Sequence, residues 1–355
     1  MAGLRGREWD SSCRALRQLW EASGAVRPGL LVLATSRLMP SLQQAWWAKQ
    51  DALPQPDVLL LGLGTAIAYR VPPQPEAGEA DADAHGGRSR GSGGWRLDAE
   101  WAALMDASYD ADAVRRAVDS VLQMYGHVRI APQRAAAPGS AALELPAGRP
   151  AVSYGLAKQQ SRHKVSLLVH RSLRERVVTD LTDALRATTA AHSTRPDGGT
   201  RQHGCGGHGG PVVVAGVRLV TMPRGPRGEW FSVDVIPAAA GKAAALCHVL
   251  RRFRIPPAAV VAAGDTDRDA ELLAAAGAAV ITTPRPPPTL RRLLEARAAA
   301  AEGLDPWASA ASSAASGIGG YWAGGAGGVG ERPVVQSSSF GPAGVLEGLQ
   351  RLGLV

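Results

Sequence analysis

Apolar positions in this chain follow two patterns that alternate. Short, largely apolar runs occupy 30–34 (LLVLA), 58–63 (VLLLGL), 231–237 (FSVDVIP), 258–263 (AAVVAA) and 278–281 (AAVI). Around them lie stretches in which apolar residues recur at the spacing of one helix face: 12–23, 40–50, 241–253, 268–276 and 288–301. A continuous apolar run fits a strand buried on both faces, and the intervening helices supply the cover. The pattern predicts an α/β fold on a parallel sheet. A short strand at 334–335 and a helix over 341–352 close the chain.

The middle of the chain alternates on a smaller scale. A helix is predicted over 110–123, a strand over 163–170 (HKVSLLVH), a helix over 172–188 and a strand over 211–222 (PVVVAGVRLVTM). This suits an inserted α/β cap domain. Four tracts rich in Gly, Ala, Pro or Ser carry no apolar period and read as flexible inserts or loops: 74–94, 131–150, 193–210 and 308–330. The expected organisation is a core in two parts, 1–73 and 229–355, with the insert 74–94 and the cap at 95–228 between them.

Composition narrows the class. The chain has 355 residues, 45% hydrophobic, with 42 Gly and 25 Pro concentrated in those tracts, so the packed part is smaller than the length suggests. No apolar run approaches the ~20 residues that span a bilayer. The first residues, MAGLRGREWDSS, lack the apolar stretch of a signal peptide. Cys13, Cys205 and Cys247 are too few and too scattered for a disulfide framework. A soluble cytoplasmic protein without a membrane partner is expected. The net charge of +8 is spread along the chain with only 5% aromatics, so it reads as a solvated basic surface and not a nucleic-acid site. Of 39 basic residues only Lys49, Lys158, Lys164 and Lys242 are lysine. Where composition favours Arg so strongly, a retained Lys suggests a place that needs a compact point charge.

Functional groups in open α/β sheets gather at the carboxyl ends of strands. Thr35 follows LLVLA, Lys242 opens the helix after FSVDVIPAAAG, and Asp265 follows VVAAG. A hydroxyl, an ammonium and a carboxylate together suit a phosphoryl group and a hard divalent cation, since Mg²⁺ prefers carboxylate and phosphate oxygens. Asp265 and Asp269, four residues apart, can approach one metal if a helix starts near Thr266. The same acids can equally cap that helix. HGCGGH (His203, Cys205, His208) offers no fourth zinc ligand and reads as loop. Trp46 and Trp47 read as packing residues, and the Gly62–Thr65 turn (GLGT) lacks the full glycine spacing of a dinucleotide loop.

The ordered set LLVLATSR, LLLGLGTAIAY, SRHKVSLLV, FSVDVIPAAAGKAAAL and AAGDTDRDAELL resembles sucrose-6-phosphate phosphatase, of the haloacid-dehalogenase (HAD) type. LWEASG (residues 19–24) resembles the segment before the family's second motif, and GWRLDAEWAALMDASYDADAV its cap entry. The resemblance implies a Rossmann-like core with an inserted α/β cap, a Mg²⁺ cofactor and a sugar-phosphate substrate. It places Thr35, with Ser36 and Arg37, on the phosphoryl group, Lys242 as the third-motif lysine, Asp265 as the metal-binding acid with Asp269 as its partner, and His163 and Lys164 toward the sugar.

The chain departs from the family pattern. The nucleophile motif Asp-x-Asp-x-Thr is absent, and the resemblance places its strand just upstream of Met1. Asp10 in REWDSS has neither a buried strand before it nor a second acid after it. The family's STGR reads ATSR here, GTEI reads GTAI with Ala66, and GDSGND reads GDTDRD with Asp267 and Arg268. Losing the nucleophile removes the covalent step, one metal ligand and the general acid. Two expectations therefore stand: a sucrose-6-phosphate phosphatase-like hydrolase whose nucleophile lies outside these residues, or a degenerate binding module that holds a sugar phosphate or associates with sucrose-phosphate synthase.

Overall fold

The computed structural model describes residues 2–21, 29–47, 49, 51–71, 94–129, 150–190, 212–214, 216–224, 228–301 and 333–355. Apart from Gly94 and Pro150, the tracts 74–94, 131–150, 193–210 (with HGCGGH) and 308–330 lie outside these residues. So do the side chains of Trp46 and Trp47.

In chain order the first elements are α1 (Ala2–Glu21), β1 (Val32–Ala34), α2 (Met39–Trp47), β2 (Val58–Leu61), β3 (Ala66–Arg70) and β4 (Trp95–Leu97). Then come α3 (Ala99–Ser108), α4 (Ala111–Tyr125), β5 (Val152–Tyr154), β6 (Val165–His170), α5 (Arg174–Ala190), β7 (Val212–Val214), β8 (Val217–Arg224) and β9 (Trp230–Pro237). The last are α6 (Lys242–Phe253), β10 (Val261–Gly264), α7 (Ala270–Ala275), β11 (Ala278–Ile281), α8 (Pro288–Ala301), β12 (Val334–Gln336) and α9 (Gly341–Arg351). Among the described residues no helix is long and apolar enough to cross a membrane.

The chain divides into two compact units, one of Met1–Leu33, Gln44–Val58 and Lys242–Val355, the other of Ala34–Gln43 and Leu59–Gly241. The first carries the parallel sheet β10-β11-β12, with Val261 opposite Ala278 and Ala279 opposite Val334. Ala279, Val280 and Ile281 have no solvent access, as a strand covered on both faces requires. α9 lies so close to β11 that a Cβ on Gly348 would collide with the Val280 side chain, so that helix needs glycine there.

The second unit holds the antiparallel sheet β5-β6-β9-β8-β7. α4 and α5 cover one face: Val114, Val118 and Val121 from α4 and Val177, Leu181 and Leu185 from α5 pack on Val165, Leu167, Val169, Val233 and Val235. Asp110 caps α4, its Oδ1 accepting from the amides of Asp112 (3.0 Å) and Ala113 (2.8 Å). Such a cap is worth about 1 kcal/mol. A further sheet runs in the order β1-β2-β3-β4, with β3 and β4 antiparallel.

The mixed α/β fold with a parallel sheet agrees with the sequence pattern, and the strand at 278–281 and the helix at 288–301 fall where that pattern puts them. Three local expectations change. PVVVAGVRLVTM is not one strand but the hairpin β7–β8, which turns at Gly216 with φ +77°, a conformation glycine takes without steric cost. The first helix starts at Ala2, not near residue 12. FSVDVIP, expected to reopen the parallel core, is instead β9, paired antiparallel with both β6 and β8.

Candidate active site

Lys242 is the first residue of α6 and belongs to the first unit, as do Asp265 and Asp269. After β10 the chain makes a single 3₁₀ turn, Asp267–Asp269, before α7. That turn folds Asp269 back over the strand end. Gly264 permits this, because a Cβ there would sit 2.5 Å from the Asp269 Cβ. Asp269 Oδ1 receives the Lys242 ammonium at 2.5 Å, with the two side chains only 11% and 8% exposed. Asp269 Oδ2 accepts from the Thr266 hydroxyl (2.7 Å), the Thr266 amide (3.1 Å) and the Asp265 amide (3.3 Å).

Burial acts to raise the Asp269 carboxyl, but the Lys242 charge and the hydrogen bonds from Lys242 and Thr266 outweigh it and hold the group below the usual range. Asp265 moves the other way. Desolvation first, then the charge of Asp269, raise it against the weaker pull of Lys242 and Arg268. The residue itself is exposed. Asp267 is drawn elsewhere: its Oδ1 accepts from the Thr289 amide at the start of α8, at 3.2 Å.

The remaining candidates belong to the second unit. The Thr35 amide donates to Leu60 O (2.8 Å), and Thr35 O accepts from Leu63 N (3.1 Å). The Arg37 amide donates to the Thr35 hydroxyl (3.1 Å), and Arg37 O accepts from Gly62 N (2.9 Å). The loop after β1 is thereby fastened to the turn after β2. In that turn Gly62, Leu63 and Gly64 all have positive φ (58°, 69° and 84°). Leu63, buried and not glycine, carries backbone strain of a kind that collects at functional sites. Thr65 ends the turn with a buried hydroxyl that has no hydrogen-bond partner among the described residues.

Lys164 reaches the same loop. Its ammonium lies 3.4 Å from the Ser36 carbonyl oxygen and 3.4 Å from Asp234 Oδ2. His163 turns instead to Asp106, with Nε2 2.6 Å from Oδ1, and meets the Tyr109 ring edge-on at 6.1 Å between centroids. Arg162 reaches the same Asp106 oxygen at 3.0 Å. With Asp112 and Arg115 these residues line a cavity of about 370 Å³. Burial pushes the Tyr109 hydroxyl well above its ordinary range.

The structure thus brings Lys242, Asp265 and Asp269 into one cluster, joins Thr35, Ser36 and Arg37 to Lys164 in a second, and separates His163 from Lys164 in its contacts. Sequence reasoning missed Asp106 and Asp234. The signal for Asp234 was present: a carboxylate in the middle of the apolar run FSVDVIP.

The sucrose-phosphatase of Synechocystis sp. PCC6803, solved in complex with sucrose and phosphate, matches with a TM-score of 0.53 at 16% identity, over 97% of this chain and 92% of that one. A haloacid dehalogenase-like hydrolase from Bacillus subtilis matches at 11% identity with a TM-score of 0.45, over 97% and 84% of the two chains. The fold is similar to that of the Synechocystis sucrose-phosphatase. Residues 229–319 match the family model of Sucrose-6F-phosphate phosphohydrolase, the segment that carries Lys242, Asp265 and Asp269. That match covers about a quarter of the chain. No curated protein sequence matches it.

Proposed function

We propose that this chain binds a sugar phosphate, sucrose 6-phosphate in the first instance, together with Mg²⁺, as a phosphomonoester hydrolase of the sucrose-phosphatase type. The observation that carries this reading is the Lys242–Asp269–Asp265 cluster within the segment that matches the family. Asp269 has both oxygens engaged by Lys242, Thr266 and the Asp265 amide, so it acts as the positioning acid. Asp265, destabilised as an anion by desolvation first and then by the charge of Asp269, is the acid that gains from a hard cation. Bound Mg²⁺ supplies Lewis-acid polarisation of a phosphoryl oxygen. Lys242 meets the phosphoryl charge. Thr35, Ser36 and Arg37 supply donors for the remaining phosphoryl oxygens, and Lys164 and His163 serve the sugar side. In the net reaction water cleaves the ester, giving the free sugar hydroxyl and inorganic phosphate.

One observation favours a second reading, a sugar-phosphate-binding module that acts without turnover or in association with sucrose-phosphate synthase: Asp-x-Asp-x-Thr occurs nowhere in the 355 residues. A single pair of measurements separates the two. Calorimetry of the purified chain with sucrose 6-phosphate, with and without Mg²⁺, reads binding, and phosphate release from the same mixture reads turnover. Mg²⁺-dependent binding that D265N weakens by tenfold or more, about 1.4 kcal/mol, supports the site. Release of phosphate then selects the hydrolase, and binding without release selects the module. No heat with either partner sinks both.

A further inference from the structure

Lys164, just before β6, is 2% exposed, and Asp234 in β9 has no solvent access. Their charged heads lie 3.4 Å apart. Neither Asp234 oxygen accepts a hydrogen bond among the described residues. Directly across the strand pair from Asp234 is Ser166, 1% exposed, whose hydroxyl is also without a partner. Strand alternation puts Lys164 and Ser166 on the face of the sheet opposite Val165, Leu167 and Val169, which pack under α4 and α5. The α4–α5 face is apolar, while the other carries a buried ion pair set into a valine-rich strand.

A carboxylate this deeply buried is costly unless a charged cation stands beside it. Lys164 is that cation. Its ammonium is also directed at the Ser36 carbonyl, within the 35–37 loop. An ammonium holds a carbonyl oxygen about twice as strongly as a neutral donor does. We propose that Asp234 is a positioning residue. It keeps Lys164 in the ammonium form and aims it at Ser36, and so fixes the loop that takes the phosphoryl group. The role of that loop rests on the proposed function; the pairing of Asp234 with Lys164 does not.

The test uses the four lysines of the full chain. Lysine labelled with ¹³C at Cε yields four side-chain carbon signals whose shifts report ionisation, and loss of one in K164R assigns Lys164. In the wild type the Lys164 signal is expected to be that of an ammonium at about pH 9, and in D234N that of the neutral amine, because desolvation without the paired charge expels the proton. Sucrose 6-phosphate affinity is read at the same two conditions. Between about pH 7 and pH 9 it is expected to hold within about twofold in the wild type and to fall about tenfold in D234N. A purely structural bridge would move neither readout selectively. An ammonium signal for Lys164 in D234N at about pH 9, or an unchanged affinity profile, overturns the proposal. If D234N does not fold, the wild type alone decides: a neutral Lys164 at about pH 9 overturns the pairing and an ammonium there supports it. Failure of the wild type to bind sucrose 6-phosphate would sink the proposed function and leave the carbon signals to judge Asp234.

Discussion

Lys242 and Asp269 illustrate how one residue's chemistry depends on its neighbour's. Both side chains are almost fully enclosed, and the Asp269 carboxylate is bonded on both oxygens. Replacing Lys242 by Met removes the counter-charge while leaving a buried anion. The expected loss is about 3–5 kcal/mol, because the remaining charge keeps its desolvation cost without its partner. Replacing both members in K242M/D269L removes that charge as well and is expected to restore most of the loss. Urea unfolding of the single and double variants measures the difference, and a double variant as unstable as K242M would contradict the account. This residue scale was legible in part. Lys242 was marked by the scarcity of lysine and by its place after a strand, and Asp265 by its position at a strand mouth. The turn that holds Asp269 was not legible, because four-residue spacing places Asp265 and Asp269 on one face only if a regular helix begins at Thr266. The chain makes a 3₁₀ turn there, and that turn delivers both Asp269 oxygens inward. Asp234 escaped notice because its partner, Lys164, is 70 residues away in sequence and meets it only through strand pairing.

The turn between β12 and α9 shows the same logic at the scale of elements. Glu347 in α9 reaches back to accept from the Ser337 hydroxyl (2.7 Å), the Ser338 amide (3.0 Å) and the Ser338 hydroxyl (2.9 Å). These bonds, the Ser337 hydroxyl foremost, pull its carboxyl down from 4.5 to about 2. The folded state therefore favours the ionised form more than the unfolded chain does. The stability this contributes is fully present above 4.5 and is lost as pH falls toward about 2. Melting temperatures measured across that window should decline more steeply in the wild type than in E347Q. Equal slopes would show that Glu347 does not link this turn to pH. Strand-to-helix order was readable because a helix covering a sheet leaves its period in the sequence. Strand direction was not. A strand covered on both faces gives an apolar run whether its neighbours are parallel or antiparallel, so β9 passed for a core strand while pairing antiparallel with β6 and β8. The β7–β8 turn was hidden by valines on both sides of a single Gly216.

At the scale of the whole molecule, the residues assigned to the candidate site divide between the two compact units. Lys242, Asp265 and Asp269 lie in one, and Thr35, Ser36, Arg37 and Lys164 in the other. The proposed function gives each group a ligand, and hydrogen exchange can read each group separately. Mg²⁺ alone should slow amide exchange at 264–269, where Asp265 and the turn behind it would be tied down. It should leave 35–37 and 62–65 unchanged. Sucrose 6-phosphate added with Mg²⁺ should slow both groups, by about tenfold or more at saturating ligand, since binding to the native state suppresses the local openings that permit exchange. The sign of the result separates the alternatives. Protection confined to 264–269 would leave a metal site without a phosphate ester, and protection confined to 35–37 and 62–65 would leave an anion loop without its metal. Either outcome removes one of the two ligands that the sugar-phosphate reading requires. Protection of 264–269 by Mg²⁺ that persists in D265N would contradict the place given to Asp265 at the cation.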